Sequence, residues 1–413
     1  MVPGLRNYLV VTGGYWAFTV TDGAIRMLVV LYFHELGYSP FAVAMLFLFY
    51  EFFGVVTNLV GGWLGSRIGL NLIMNLGMGL QVLALAMLTV PDPWLTVAYV
   101  MTAQALSGIA KDLNKMSAKA SVKSLASEGL EARLFNWVAV LTGSKNALKG
   151  AGYFVGAGLL DWIGFRGSLA VLAVLLGLVL LLVLVLLPRR LGTTRFKARF
   201  IQVFSPIAAV NRLSAARFFL FGSRDVWFVV ALPVYLYEIL GWSFTAVGSF
   251  LAAWIIGYGI VQALSPRLLA ALGLHASRQT AVGAVALLAG PPSVIALALN
   301  GGLSPGATIV VGLAAFGVLF AVNSAVHSYL ILAYSDSDRV ALNVGFYYMA
   351  NAGGRLVGTV LSGLVYQAAG IQGCLWLSSL FLLGAVAASL TLPPLDSADD
   401  PGNHGMRSSG HAD

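Results

Sequence analysis

Nine charged side chains interrupt stretches of sequence that are otherwise apolar enough to cross a membrane. A charge at the bilayer midplane costs at least a few kcal/mol unless it is paired or hydrated, so these side chains are expected to face a water-filled cavity or one another. Basic residues outnumber acidic ones, and an excess of cations in a low-dielectric cavity needs anions. Arginine suits phosphate-like oxyanions because its planar fork donates two hydrogen bonds at once. The pattern predicts an anion-binding cavity containing Arg26, Lys145, Lys149, Arg217, Arg224, Arg355, Asp22, Glu51 and Asp225.

Two lysines give the most direct indication of ligand contact. Lys145 and Lys149 lie one turn apart on one face of a predicted helix, and their mutual repulsion disfavours a purely structural role. Arg355 occupies the equivalent place of Lys149 in the second half of the chain. We therefore interpret as substrate-binding residues Arg26, Lys145, Lys149, Arg224 and Arg355.

The acidic residues and one histidine leave alternative roles open. Asp22 and Arg26 are four residues apart on one helix, a spacing at which they can simply pair with each other. Glu51 either titrates during a transport cycle or pairs with a cation of the opposite half to close a gate. His327 is either a proton carrier or a hydrogen-bonded packing residue. Proton or gating sites are therefore assigned to Asp22, Glu51, Asp225 and His327.

Two other basic groups favour peripheral roles. Arg217 lies close to the end of a predicted span and is interpreted as a headgroup anchor. Lysines recur every four residues on the cytoplasmic extension of the fourth span, and this spacing predicts a solvated, lipid-facing stripe. The alternative is that these lysines gather anions at the mouth of the cavity. The members of this stripe are Lys111, Lys115, Lys119 and Lys123.

Composition defines the elements that must position these residues. The chain has 413 residues, 59% of them hydrophobic, a mean hydropathy of +0.87 and only 10% charged residues, against roughly 25% charged in soluble domains. No water-soluble core buries that much apolar surface. At about 20 residues per span, the length predicts an all-α membrane protein with about twelve transmembrane helices in two six-helix halves. Because the basic residues lie in separate short loops beside apolar spans, nucleic-acid binding is disfavoured.

The predicted spans group into two sets of six. Those of the first set are 8–33, 40–64, 72–90, 94–112, 134–160 and 168–187, and those of the second are 213–238, 244–265, 279–299, 306–334, 341–367 and 372–392. The chain is accordingly divided into an N-terminal half (1–187), a basic cytoplasmic linker (188–212), a C-terminal half (213–393) and a disordered cytoplasmic tail (394–413).

Basic residues between the spans predict the orientation. The loops on one side hold all of them but Arg166, and the positive-inside rule makes that rich side cytoplasmic. This places both termini in the cytoplasm, in agreement with an even number of spans, which puts both termini on the same side. The first span lacks a cleavage site and contains charges, so it is interpreted as a true span and not as a secretory signal.

The two halves repeat one another. One match, at a constant offset, joins the ends of the first and seventh spans: it pairs Leu36, Gly37, Tyr38 and Ser39 with Leu240, Gly241, Trp242 and Ser243. A second match, again at constant spacing, joins the fifth and eleventh spans: it pairs Lys149, Gly152, Gly164 and Gly167 with Arg355, Gly358, Gly370 and Gly373. Parallel six-span repeats with the substrate site between them are the plan of the major facilitator superfamily. The loop at 61–69 also resembles that superfamily's glycine-rich signature, although Ser66 stands where an aspartate is expected.

Six runs of the sequence resemble the ArsJ-type organoarsenical efflux permeases of bacterial arsenic resistance operons. They are 22–29 (DGAIRMLV), 49–67 (FYEFFGVVTNLVGGWLGSR), 103–121 (AQALSGIAKDLNKMSAKAS), 141–150 (LTGSKNALKG), 215–235 (AARFFLFGSRDVWFVVALPVY) and 343–363 (NVGFYYMANAGGRLVGTVLSG). The resemblance implies export of 1-arseno-3-phosphoglycerate across a bacterial inner membrane. It also implies a functional link to glyceraldehyde-3-phosphate dehydrogenase, which makes that ester when arsenate replaces phosphate.

Cysteine usage agrees with a pentavalent arsenic species. Trivalent arsenic is thiophilic and would need two or three cysteines, whereas the chain has only Cys374. No cofactor and no metal site are expected, and no nucleophile with an adjacent base indicates an enzyme. The alternative is a facilitator of the same fold that exports another organic anion or a drug in exchange for protons, with Asp22 and Glu51 as the proton sites.

Overall fold

The computed structural model describes residues 3–68, 70–126, 131–187, 207–334 and 340–394. These residues form α-helices, one 3₁₀ turn and one π-helical turn, with no strand among them. The helices of the first half are α1 Pro3–Glu35, α2 Pro40–Leu46, α3 Leu48–Ile68, α4 Leu70–Met87, α5 Val97–Ala126 and α6 Glu131–Leu186. Those of the second half are α7 Ala208–Phe228, α8 Ala231–Val234, α9 Phe244–Ala271, α10 Arg278–Leu288, α11 Gly290–Asn300, α12 Pro305–Ala333 and α13 Val340–Leu390. The all-α class is confirmed.

Eight stretches of the described chain are long and apolar enough to cross a membrane, and two of them exceed a single crossing. These two are Ser144–Leu186 with 43 residues and Asn343–Leu390 with 48, whereas one span needs about 20. Each is broken at a glycine in the left-handed region, Gly164 with φ 72° and Gly370 with φ 63°. Only glycine adopts such a φ without a steric penalty.

Contacts with α1 show that α6 reverses direction at Gly164. Gly23 of α1 packs against Gly152 in the first arm of α6. Further along α1, Tyr32 stacks on Phe165, which follows the break, with the ring centroids 4.1 Å apart. The second arm then returns, because a Cβ at Gly14 would lie 3.2 Å from Val183. In the second half, α7 likewise packs against both arms of α13, because a Cβ at Gly222 would lie 3.2 Å from the carbonyl oxygen of Gly354 before the break and 2.6 Å from the Phe381 ring after it. The number of twelve spans stays a prediction.

The predicted repeat is present in the backbone geometry. Gly37 and Gly241 both have a positive φ, 86° and 66°, and each lies two residues before the serine that caps the next helix. Ser39 and Ser243 then cap those helices, and each hydroxyl accepts a hydrogen bond from the amide three residues further along at 3.2 Å. Together with the paired breaks at Gly164 and Gly370, these caps relate the two halves.

Helix breaks within single predicted spans were not foreseen from the sequence. The predicted span 213–238 consists of α7, α8 and a π-helical turn, with a break at Val229 and Val230, because in a continuous helix the ring of Pro233 would clash with the carbonyl of Val229. The hydroxyl of Ser362 accepts hydrogen bonds from the freed amides of Val230 and Ala231 at 3.3 and 3.1 Å. Likewise, α2 and α3 together form the second predicted span, and α10 and α11 the ninth.

Glycines bring the charged helices into close contact. A Cβ at Gly354 of α13 would collide with the backbone carbonyl of Phe218 on α7, and one at Gly152 of α6 would collide with that of Val20 on α1. In this way α7 is held against the segment of α13 that contains Arg355. By the same means α1 is held against the segment of α6 that contains Lys149.

Several predictions fall outside the described residues. They concern most of the linker (188–206), the tail (395–413), and the side chains of Ser66, Lys119 and Lys123. The division of the chain into a linker and a tail therefore stays a prediction.

Candidate functional site

A buried carboxylate joins the two halves. Glu51 of α3 is fully buried, and its Oε1 accepts a hydrogen bond from Nη2 of Arg26 on α1 at 2.6 Å. The same oxygen accepts a second one from Nη2 of Arg355 on α13, also at 2.6 Å. Since α13 belongs to the second half, Glu51 has the cross-half cation that one of its two predicted roles requires.

A second buried carboxylate continues the network within the C-terminal half. Asp225 of α7 accepts a hydrogen bond from Nε of Arg355 at 3.1 Å through Oδ2. Its Oδ1 pairs with Nη2 of Arg224 at 2.5 Å. Arg355 therefore lies between the two carboxylates, and the network has three guanidiniums for two carboxylates.

Asp22 and Arg26 do not pair with each other. Arg26 forms its ion pair with Glu51, whereas Asp22 accepts a hydrogen bond from the hydroxyl of Tyr50 at 2.6 Å. The Arg26 guanidinium carbon lies 4.9 Å from the Tyr50 ring centroid, a cation–π distance. Tyr50 thus separates the two residues that the i,i+4 spacing brings together on one helix.

Lys149 differs from Arg26, Arg224 and Arg355 in that no carboxylate of the described chain forms an ion pair with it. Its Nζ lies 5.8 Å from the ring centroid of Tyr153, and within the described chain no carboxylate oxygen lies within 4 Å of it. The Lys149 backbone lies directly against Gly23 of α1, beside Asp22. Lys145 is half-buried one turn earlier on α6. The repeat-related residue Arg355 is ion-paired, so the two equivalent positions differ in pairing.

The cluster is therefore cationic overall and joined across the halves. Arg26, Arg224, Arg355 and Lys149 face Glu51, Asp225 and Asp22. Oε2 of Glu51 and Nε of Arg26 are buried with no hydrogen-bond partner among the described residues. Such a cluster can bind an oxyanion by offering guanidinium and ammonium donors, with Glu51 and Asp225 as the groups that the anion must compete with. The roles assigned to these residues from the sequence stay predictions.

The interpretation of Arg217 as a headgroup anchor is wrong. Arg217 is only 5% exposed, and its Nε donates a hydrogen bond to Oδ1 of Asn351 at 3.1 Å. Its Nη1 donates to Oγ of Ser324 at 3.0 Å, and its guanidinium carbon lies 4.0 Å from the Phe221 ring centroid. Position near a helix end suggested the membrane surface, but the arginine points into the second half.

The interpretation of the lysine stripe as solvated and lipid-facing is also wrong for Lys111 and Lys115, the two members whose side chains the structure describes. Asp112, which the sequence reasoning missed, is 1% exposed and pairs with Nζ of Lys115 at 2.6 Å and of Lys111 at 3.7 Å. Lys111 Nζ lies 4.1 Å from the Tyr50 ring centroid, so this group adjoins the central cluster. The available signal was the single acid among the lysines, since a buried carboxylate attracts basic neighbours.

His327 of α12 is fully buried, and neither ring nitrogen has a hydrogen-bond partner among the described residues. Its two predicted roles therefore stay open. Among those residues, no group of three or more His, Cys, Asp or Glu side chains could hold a metal ion.

Solved transporter structures share this fold. A POT family transporter in complex with a thioalcohol-conjugated peptide superposes with a TM-score of 0.74 at 13% identity, covering 93% of this chain and 94% of that one. The nucleoside transporter NupG superposes with a TM-score of 0.70 at 12% identity, covering 94% and 98%. At these identities the likeness concerns the fold alone.

Sequence comparison assigns the family. No curated protein sequence matches the chain. The sequence model of the Major Facilitator Superfamily matches twice, at residues 11–228 and 213–410, in agreement with the repeat. The chain therefore belongs to the Major Facilitator Superfamily and is a multi-pass membrane transporter.

Proposed function

We propose that this transporter exports an organic oxyanion, specifically 1-arseno-3-phosphoglycerate, and so confers resistance to arsenate. The observation that carries the proposal is the cationic cluster between the halves, in which Lys149 has no carboxylate partner within the described chain. The choice of this ester among organic oxyanions rests on the sequence resemblance to organoarsenical permeases.

The chemistry of the cluster suits a pentavalent arsenic ester. Arsenate esters resemble phosphate esters in charge and in their tetrahedral oxygens, which the planar guanidinium fork binds in pairs. A trivalent arsenic species would need thiolates, and Cys374 is single and buried. Export of free arsenite is therefore disfavoured.

Binding is proposed to act on the contact between the halves. Lys149 and Arg355 occupy equivalent places in the two repeats and would hold the anion from opposite sides. An anion that binds Arg355 competes with Glu51 and Asp225, which now occupy its donors at 2.6 and 3.1 Å. Substrate binding would thereby weaken the ion pair that joins α3 to α13. In the same proposal, Asp22, Glu51 and Asp225 limit cation repulsion when the site is empty.

The cellular setting follows from the substrate. The protein would lie in a bacterial inner membrane with both termini in the cytoplasm, where glyceraldehyde-3-phosphate dehydrogenase makes the ester. Outside the cell the ester would hydrolyse to arsenate. The transporter itself would perform no covalent chemistry.

The test is arsenate resistance in cells without other arsenate detoxification. Cells that express the transporter together with abundant glyceraldehyde-3-phosphate dehydrogenase should grow at arsenate concentrations that stop cells expressing either protein alone. Resistance to arsenite should stay unchanged. Equal protection without the dehydrogenase would contradict the proposal and would point to free arsenate as the substrate.

A further inference from the structure

We infer that a second anion-binding subsite surrounds Arg217, and that it takes the second charged group of a substrate with two separate oxyanion groups. This inference rests on the proposed function, in which the central cluster binds the first oxyanion group. It adds a specificity: organic anions with two oxyanion groups are preferred to those with one.

Arg217 differs from the other buried arginines in its partners. Arg26, Arg224 and Arg355 each contact a carboxylate oxygen at 2.6 Å or less. Arg217 is 5% exposed, yet its side-chain partners are the neutral Asn351 and Ser324, and the described chain places no carboxylate within 4 Å of it. A buried guanidinium without a counter-ion favours an anion as its additional partner.

Hydrogen bonds place the Arg217 subsite at the interface between the halves and not on the lipid side. Oγ of Ser324, which Arg217 contacts, also accepts a hydrogen bond from Nε2 of Gln262 at 3.3 Å. Oε1 of Gln262 in turn accepts one from Nδ2 of Asn146 on α6 at 3.1 Å. Because α6 belongs to the first half, this chain of polar contacts crosses the same interface as the central cluster.

The subsite forms a layer beside the central cluster, on the side predicted to be cytoplasmic. Its residues precede those of the cluster on three helices: Asn146 lies before Lys149, Asn351 before Arg355, and Arg217 before Arg224. Arg217 and Arg224 share the ring of Phe221.

The spacing of the two layers suits a short substrate. The guanidinium carbons of Arg217 and Arg224 lie 4.0 and 4.9 Å from the Phe221 centroid, so they are at most about 9 Å apart. A three-carbon chain with an oxyanion at each end can contact both.

An unused donor completes the Arg217 subsite. The ring of Tyr347 lies 5.1 Å from the Arg217 guanidinium carbon. Its buried hydroxyl lies near the hydroxyl of Ser328 but makes no well-formed hydrogen bond with a described residue. Buried hydroxyls without a partner are uncommon and need an explanation. A bound oxyanion would accept a hydrogen bond from this hydroxyl.

The experiment measures binding of two probes to the purified full-length protein by titration calorimetry. Glycerol 3-phosphate carries one phosphoryl group, and propane-1,3-diol bisphosphate carries two. The natural protein should bind the bisphosphate at least about tenfold more tightly, the effect expected of one added charge-assisted contact. Arg217→Gln should abolish this preference while leaving the affinity for glycerol 3-phosphate within about twofold.

Further variants keep the result interpretable. Ser324→Ala and Gln262→Leu, which perturb the subsite more gently, should each reduce the preference in part, so a failure of Arg217→Gln to fold does not prevent the test. Arg355→Gln should weaken both probes. Equal weakening of both probes by Arg217→Gln, or no preference in the natural protein, would overturn the subsite. Failure of the natural protein to bind either probe would instead refute the proposed function on which it rests.

Discussion

Glu51 and Arg355, which are 304 positions apart in the sequence, share a hydrogen bond of 2.6 Å inside the membrane-spanning bundle. The pair joins the first half to the second, and Glu51 holds Arg26 of its own half with the same oxygen. A buried pair of this kind contributes little net stability when intact, but removing one partner costs about 3–5 kcal/mol because it strands the other charge. The contact is therefore suited to being exchanged for a substrate anion.

Glu51→Gln should make the empty transporter less stable and more dependent on anions. Without this carboxylate, three arginines face only Asp225, so phosphate should raise the melting temperature of the variant more than that of the natural protein. The measurement is thermal unfolding of the purified protein with and without phosphate. Glu238→Gln is the matched control, because Glu238 also pairs across the halves, with His34 at 3.7 Å, but is 54% exposed. An equal response of both variants would contradict the role of Glu51.

Replacing Lys145, Lys149, Arg224 or Arg355 with Gln should abolish arsenate resistance while leaving membrane insertion intact. The reason is loss of the donors that bind the anion, since each charged hydrogen bond contributes about 1.5–3 kcal/mol. Resistance is measured by growth, and insertion by the amount of protein in the membrane fraction. Arg166→Gln is the control, because Arg166 is 46% exposed and pairs with Asp92 in a loop. Full resistance in all four variants would refute the assignment.

Gly354→Ala should destabilise the protein, whereas Gly353→Ala should not. A Cβ at Gly354 would overlap the Phe218 carbonyl, and the resulting shift of α7 against α13 should cost roughly 1–3 kcal/mol. A Cβ at Gly353 meets only the ring of Phe218 at 3.5 Å, an ordinary contact. The readout is the melting temperature in detergent. Equal melting temperatures would show that this close approach of the helices is absent.

Cysteine labelling should test the predicted orientation and the reversal of α6. The one native cysteine, Cys374, is buried, so it should stay unlabelled by an impermeant maleimide in intact cells. Trp162→Cys and Ser304→Cys should be labelled from outside, because both lie between predicted outward ends of spans. His275→Cys should react only after the membrane is opened. Labelling of His275→Cys in intact cells would invert the topology.

The sequence was most informative where one physical constraint dominates. Apolar length predicted the membrane class, and constant offsets at Gly37, Gly164 and their counterparts predicted the repeat that the backbone shows. Intramembrane charges identified the residues that the structure brings together around Glu51. Each of these inferences depends on local composition or on matching two local patterns.

The sequence did not predict which side chains the charged residues contact. The Asp22–Arg26 spacing suggested a pair, but Tyr50 of another helix takes the carboxylate. Arg217 and Lys111 lie near predicted span ends, yet helix packing turns both inward. Such contacts depend on how separate helices are rotated against one another, which single-helix periodicity does not determine.

Uptake of the ester into everted membrane vesicles tests the central claim most directly. Labelled 1-arseno-3-phosphoglycerate can be generated outside the vesicles by glyceraldehyde-3-phosphate dehydrogenase from glyceraldehyde 3-phosphate and arsenate, with NAD⁺ as the oxidant of the aldehyde. Each charge crossing the membrane gains about 2.3 kcal/mol per 100 mV, so in everted vesicles energised to a positive-inside potential the inward movement of a multiply charged anion, equivalent to export from the cell, is driven by the potential alone. Vesicles with the natural transporter should accumulate label, those with Arg355→Gln should not, and valinomycin with potassium should slow uptake more than nigericin. Uptake that only nigericin slows would replace potential-driven export by proton exchange, and no uptake of the ester above that of empty vesicles would contradict the proposed function.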